Sequence, residues 1–275
     1  MLKQRILTAV LLVPLVLYLV LVANSLWLTA VVGLVVVLGA WEWCKIAGIE
    51  SSTGQVLYVS CIVLLLYICF IFRQAEWIPV IILISVCWWL MAALLLLGTQ
   101  RQWFVFHVSK VIKAIIGLVV LVPAWLSLIL LQDNGTTEGR SRLLLLLLII
   151  WTADIAAYFS GRAWGKHTLA NRISPGKTWE GVYGALIASL VMTLGFIMIN
   201  RVQQYEVIMF IVLGLLAVPV SIIGDLFESL MKRAANLKDS GKLLPGHGGV
   251  LDRIDSLTAA GPVFYAGYWL SRYLI

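Results

Sequence analysis

Five carboxylates occupy parts of this chain where nearly every neighbour is apolar. Asp154 lies in "IIWTADIAAYFSGR", Asp225 and Glu228 close "SIIGDLFESLMKR", and Asp252 and Asp255 open the run starting "LDRIDSL". An ionisable group at membrane depth costs a few kcal/mol or more, so it faces a protein interior or a watery cavity. Asp225 and Glu228 stand at i,i+3, as do Asp252 and Asp255, and helical spacing puts each pair on one face. The connection from Gly224 to Gly249 is long enough to return the chain so that the two pairs meet. Clustered carboxylates without Cys, and with no His in the pairs, suit a hard, oxygen-seeking cation such as Mg²⁺. The competing structural reading for Asp252 and Asp255 is a helix N-terminus, where acids cap free N–H groups and complement the dipole. Asp154 fits either a structural hydrogen bond or a catalytic role.

Basic residues and glycines surround these acids. Lys232, Arg233, Lys238 and Lys242 precede a glycine cluster in which Gly246, Gly248 and Gly249 flank His247. Lys166, Arg172 and Lys177 come from a second polar segment, Gly161 to Gly181. Topology and attraction to anionic head groups explain the sign of that charge. They leave the glycines unexplained; glycine lets backbone N–H groups approach phosphate oxygens. Carboxylates, cations and glycines together suggest a metal-bound polyphosphate. His247 either closes a turn or contacts phosphate or handles a proton. Gly176-Lys177-Thr178 is not a P-loop, because that pattern needs glycine where Asn171 stands. "GHGG" follows no strand of a dinucleotide-binding unit.

The elements that position these groups follow from composition. The chain has 275 residues, 62% hydrophobic and 12% charged, with mean hydropathy +1.01. Soluble domains carry about 25% charged residues, so lipid is the solvent for most of this one. About 20 apolar residues span a bilayer as a helix. Such runs recur at roughly 6–23, 26–43, 56–72, 78–97, 111–131, 143–161, 181–199, 207–226 and 251–271. They are apolar on all faces, unlike the alternating strands of a barrel. The expected fold is therefore an all-α polytopic membrane protein of about nine transmembrane helices. It forms one integral membrane domain, 1–275, in which 1–150 is mainly scaffold and 151–275 is the catalytic half. The first apolar run has the basic start of a signal peptide but reads as a retained helix. The four cysteines form no CxxC pair and read as buried apolar groups.

Charge orients the chain. With a cytoplasmic N-terminus and alternating sides, fifteen of the 20 Lys and Arg fall on the cytoplasmic side. Only Arg73, Arg140, Arg142, Arg201 and Arg272 fall on the far side, as the positive-inside rule predicts. Both polar segments are then cytoplasmic, and the cavity between them opens there. A cation-coupled transporter of an anionic solute is the alternative function. It requires a polar pathway across the membrane, whereas the ionisable residues here gather on one side.

"SLMKRAANLKDSGKLLPGHGGVLDRID", Ser229 to Asp255, resembles the signature of the phosphatidate cytidylyltransferases, also called CDP-diglyceride synthases. Its fixed positions match Ser229, Lys232, Arg233, Lys238, Asp239, His247, Gly248, Gly249, Asp252, Arg253 and Asp255. The similarity extends through "DIAAYFSGRAWGKHTL", "SPGKTWEG", "GDLFES", "AWEW" and the "MLKQR" start. The resemblance implies synthesis of CDP-diacylglycerol and pyrophosphate from CTP and phosphatidic acid with Mg²⁺. It also implies a monovalent cation such as K⁺, a homodimer, and a multi-pass protein of the bacterial inner membrane with no nucleic-acid partner. The family's metal-binding aspartates match Asp225 and Asp252. Glu228 and Asp255 are expected as further ligands or their supports. Lys232, Arg233, Lys238, Asp239, His247 and Asp255 join the catalytic set. Ser174, Lys177, Gly248, Gly249 and Arg253 are expected to contact substrate phosphates. The CDP-alcohol phosphotransferases are a poor match, because their signature needs an Asp-Gly dipeptide and this chain has none.

Overall fold

The computed structural model describes residues 2–101, 108–243 and 248–274. Its helices are α1 (Leu2–Leu21), α2 (Ser25–Ala47), α3 (Ser52–Ile71), α4 (Ile78–Gln100), α5 (Lys110–Gln132), α6 (Thr137–Trp164), α7 (Trp179–Ile199), α8 (Gln204–Ala234) and α9 (Leu251–Leu274). Between α6 and α7 lies a two-stranded antiparallel hairpin, β1 (Thr168–Ala170) and β2 (Ser174–Thr178). Helix starts fall where short polar side chains replace apolar ones. Asn24, Ser51, Ser109, Thr136 and Thr178 each accept a hydrogen bond from a first-turn backbone N–H.

Among the described residues, seven helices, α2 to α8, are long and apolar enough to cross a membrane. α1 contributes a shorter apolar stretch, Val10–Leu21. α9 is long enough, but its acids, glycines and serines lower its hydropathy. It makes up for this by burial: Leu251, Ala259, Ala260 and Phe264 are enclosed by the bundle. α5 is the most enclosed span, and α2, α6 and α9 pack around it. Trp43 Nε1 and Tyr58 Oη donate to the α5 carbonyls of Lys113 and Ala114 (2.9 and 3.1 Å), fastening α2 and α3 to its first turn. Leu57, Leu64, Leu90, Leu94, Ile187 and Ile208 face outward, as a lipid-facing surface requires.

Two features depart from the sequence expectation. Hydropathy ends the eighth run near residue 226, whereas α8 continues to Ala234. Hydropathy marks only the part of a helix that lies in lipid, and "DLFESLMKRA" is composed largely of good helix formers. Its 31 residues rise about 46 Å, well beyond a hydrocarbon core of about 30 Å. The segment 161–181, read from the sequence only as polar, also carries the hairpin. Ile173 N donates to the Ala170 carbonyl and closes its turn (3.1 Å), and Trp179 N donates to the His167 carbonyl (2.9 Å). The segment 161–181 is thus held by backbone hydrogen bonding.

Candidate active site

The extension of α8 places Asp225, Glu228 and Lys232 on one helix. α9 returns against it at very short range, which glycine permits: a methyl group on Gly224 would lie 2.5 Å from the Asp255 carbonyl oxygen. The two i,i+3 pairs therefore face each other, as their spacing predicts. Lys232 Nζ lies 3.0 Å from Glu228 Oε1 and 2.5 Å from Asp252 Oδ1. Lys177, at the end of β2, forms an ion pair with Asp225. Asp255 interacts with both Asp225 and Glu228. Asp154 reaches the same group from α6, interacting with Lys177, Asp225 and Arg253. The hairpin, α6, α8 and α9 thus deliver residues 225, 228, 252 and 255, with 154, 177 and 232, to one place.

The hydrogen bonds of Asp252 place it both at the cap of α9 and in the charged cluster. Its Oδ2 accepts from Gly249 N (2.8 Å) and Ser240 N (3.1 Å), capping the turn that leads into α9. Its Oδ1 accepts from Lys232, inside the charged cluster. Gly248 has φ +82°, and a side chain there would also meet Asp252 Oδ2 at 2.7 Å. Gly248 and Gly249 therefore fold the backbone onto an aspartate in this structure.

One residue of this site is missing from the sequence reading. Glu42, on α2, is 1% exposed. Its Oε2 accepts from Ser240 Oγ and from Leu251 N, the first N–H of α9, both at 2.9 Å. A first-turn N–H has no partner within its own helix, and here a carboxylate from a helix about 200 residues earlier supplies one. Glu42 Oε1 is buried with no hydrogen-bond partner. Gly241 and Gly249 pack against this carboxylate so closely that a methyl on either would lie 2.0–2.4 Å from its oxygens. The signal was available: Glu42 is an acid within the run 26–43, in "GAWEWCK", and the rule that singled out Asp154 applies to it equally.

Other expected residues lie at the edge of the cluster. Arg233 is exposed and donates to the Leu237 carbonyl at the end of α8 (3.4 Å). Lys238, Asp239 and Arg253 are exposed on the rim, and Ser174 is half-buried at the start of β2. His247 lies outside the described residues.

The donor set is hard oxygen, which fits a small divalent cation held by one or two carboxylates together with substrate phosphates. Among the described residues, no group of three or more His, Cys, Asp or Glu forms a ready cage.

Residues 3–271 match the model of the cytidylyltransferase family. The chain is 43% identical over 269 residues to a phosphatidate cytidylyltransferase of Pseudomonas aeruginosa, covering 98% of this chain and 97% of that protein. It is 34% identical over 286 residues to a phosphatidate cytidylyltransferase of Haemophilus influenzae, covering 98% and 99%. A phosphatidate cytidylyltransferase of Brucella melitensis is 47% identical over 140 residues, about half of each chain. With a family model matched from the first turn of α1 to the last turns of α9, and two relatives aligned almost end to end, this chain belongs to the cytidylyltransferase family.

Proposed function

We propose that this protein transfers the cytidylyl group of CTP to phosphatidic acid, giving CDP-diacylglycerol and pyrophosphate. The observation that carries the reading is the convergence of Asp225, Glu228, Lys232, Asp252 and Lys177 at one end of the bundle, in a chain of this family. The transporter alternative falls away, since the family and the named relatives are cytidylyltransferases.

In the proposed reaction an oxygen of the lipid phosphate attacks the α-phosphorus of CTP in line. A new P–O bond forms, the bond from α-phosphorus to the bridging oxygen breaks, and pyrophosphate carries away the electron pair. The attacking phosphate is already ionised near neutral pH, so no strong base is needed. Both reactants are polyanions, and the barrier is dominated by charge and alignment. Asp154, Asp225, Glu228, Asp252 and Asp255 outnumber their cationic partners Lys177, Lys232 and Arg253. A polyanion entering this acidic group requires added positive charge. Asp225 and Asp252 would hold Mg²⁺, with Glu228 and Asp255 as further ligands or supports; the bound cation supplies neutralisation of phosphate charge. K⁺ belongs to the same proposal. Lys177 and Lys232 keep the carboxylates apart and aligned. Lys238 and Arg253, on the exposed rim, are placed to meet phosphates arriving from water and from the membrane surface, and Arg233 and Ser174 complete that rim.

The rest of the reading concerns placement. The nine helices are proposed as nine spans of a bacterial inner membrane protein, with the carboxylate end cytoplasmic, where CTP is available. Residues 151–275 form its catalytic half, with 1–150 as scaffold that also lends Glu42. A homodimer is part of the same proposal. Pyrophosphate release from CTP, phosphatidic acid and Mg²⁺ by the purified protein tests the function. No CTP-dependent release above a lipid-free control would end it.

A further inference from the structure

At the opposite end of the bundle, a cleft of about 160 Å³ opens between the turn joining α3 to α4, the end of α5, the start of α6 and the end of α9. That is roughly ten times the space one buried water needs. Among the described residues, its charged wall is made by Arg73, Arg142 and Arg272, facing the carboxylate of Asp133. The charge segregation read from the sequence leaves five cations on this side of the protein, and three of them line this one cleft.

Arg142 is the centre of it. The residue is 9% exposed. It donates to Tyr268 Oη and, at 3.3 Å, to Asp133 Oδ2, and its guanidinium lies 4.3 Å from the Tyr268 ring centre. Its Nε is buried with no hydrogen-bond partner. Asp133 is about half exposed, so one solvated carboxylate is the acid set against a buried guanidinium and two further arginines. A buried cation so thinly matched is costly unless another anion shares it. Arg73 is held in place by its bond to the Phe70 carbonyl (2.9 Å) and its position over the Phe70 ring (4.7 Å). All three cations are arginines, whose planar forks suit phosphate oxygens better than lysine does.

We propose that this cleft is a non-catalytic site for a phosphate-bearing anion, the head group of an anionic phospholipid in the leaflet opposite the carboxylates. Its walls carry the argument beyond free phosphate. Tyr268 and Trp269 mark the depth at which aromatic side chains meet lipid head groups. Ile129 and Leu130 form an apolar wall that a dissolved ion does not use but a glycerol backbone does. The site lies about 30 Å along α9 from Asp252, so its occupant is neither substrate nor product in place.

Native mass spectrometry of the purified protein with dihexanoyl phosphatidylglycerol tests this, with inorganic phosphate as competitor. Wild type should retain the lipid, Arg73→Gln/Arg272→Gln should weaken retention at least tenfold, and Lys177→Gln should retain it as wild type does. Competition by millimolar phosphate would identify free phosphate as an equal occupant; its absence would identify the lipid head group. Arg142→Gln should lose retention as well; if that variant misfolds, the rim pair still decides. Equal retention by the folded rim variant, or loss confined to Lys177→Gln, overturns the proposal.

Discussion

At the start of α9, Asp252 and Asp255 join Asp154, Asp225 and Glu228 around two lysines, with Glu42 holding the helix end. At its far end, Arg272 joins Arg73 and Arg142 against one aspartate. Both ends concentrate charge, yet they are built differently. The first end draws carboxylates from α6, α8 and α9 and places lysines between them, yet the acids still outnumber the cations. Ligands exchange into such a network by replacing one partner with another. The second end draws arginines from three elements and leaves them under-compensated. The first arrangement suits chemistry in which cations and polyanions come and go; the second suits retention of a single anion.

The comparison breaks most severely if the carboxylates are dispensable. Asp225→Asn and Asp252→Asn should each lower CDP-diacylglycerol synthesis by about 10²–10³-fold or more, while membrane insertion and the arginine cleft's lipid retention persist. Near-normal Mg²⁺-dependent turnover in both variants would disprove their assignment.

The support beneath that cluster comes next. Glu42→Ala leaves Ser240 Oγ and Leu251 N without an acceptor, each worth about 1–3 kcal/mol when buried. Turnover should fall about 10–100-fold, as for groups that orient a metal site from behind. Glu42→Gln keeps one carbonyl acceptor and should recover much of the loss, with KM for CTP moving less than kcat. Equal damage by Ala and Gln would mean that the charge itself acts in the reaction.

A steric version of the same test is sharper in position and smaller in size. Gly249→Ala forces a methyl against Ser240 Oγ and Glu42 Oε2, an overpacking cost of about 1–3 kcal/mol. Melting temperature and activity should both drop. Gly176→Ala, whose methyl would meet nothing within 4 Å, should leave both unchanged. The smallest effect belongs to the far end: Arg73→Gln/Arg272→Gln should keep CDP-diacylglycerol synthesis within about twofold in neutral-lipid nanodiscs. A larger loss there would join the two ends into one functional unit.

Much of the carboxylate end is legible in the chain itself. Acids in apolar surroundings are costly, so each one declares a reason to be there. The i,i+3 spacing of 225/228 and 252/255 already states which side chains share a face. Glu42 obeys the same rule but stands alone, with no partner at helical spacing to mark it. The hairpin was hidden for another reason. The stretch "KHTLANRISPGKT" is too short for periodicity to separate strand from loop, and the backbone pairing of Thr168 with Thr178 and of Ala170 with Ser174 defines it.

Composition and hydropathy alone settle that this is a helical chain in lipid, because no other solvent accommodates so many all-round apolar runs. The arrangement of charge along it already separates an acid-and-base end from a sparse arginine end. Tertiary structure decides who meets whom. It sets Lys232 between Glu228 and Asp252, ties Glu42 to the first N–H of α9, and gathers Arg73, Arg142 and Arg272 from distant segments into one cleft. Helical periodicity fixes neighbours only within a few residues, whereas these contacts span tens to hundreds and depend on how closely the helices approach.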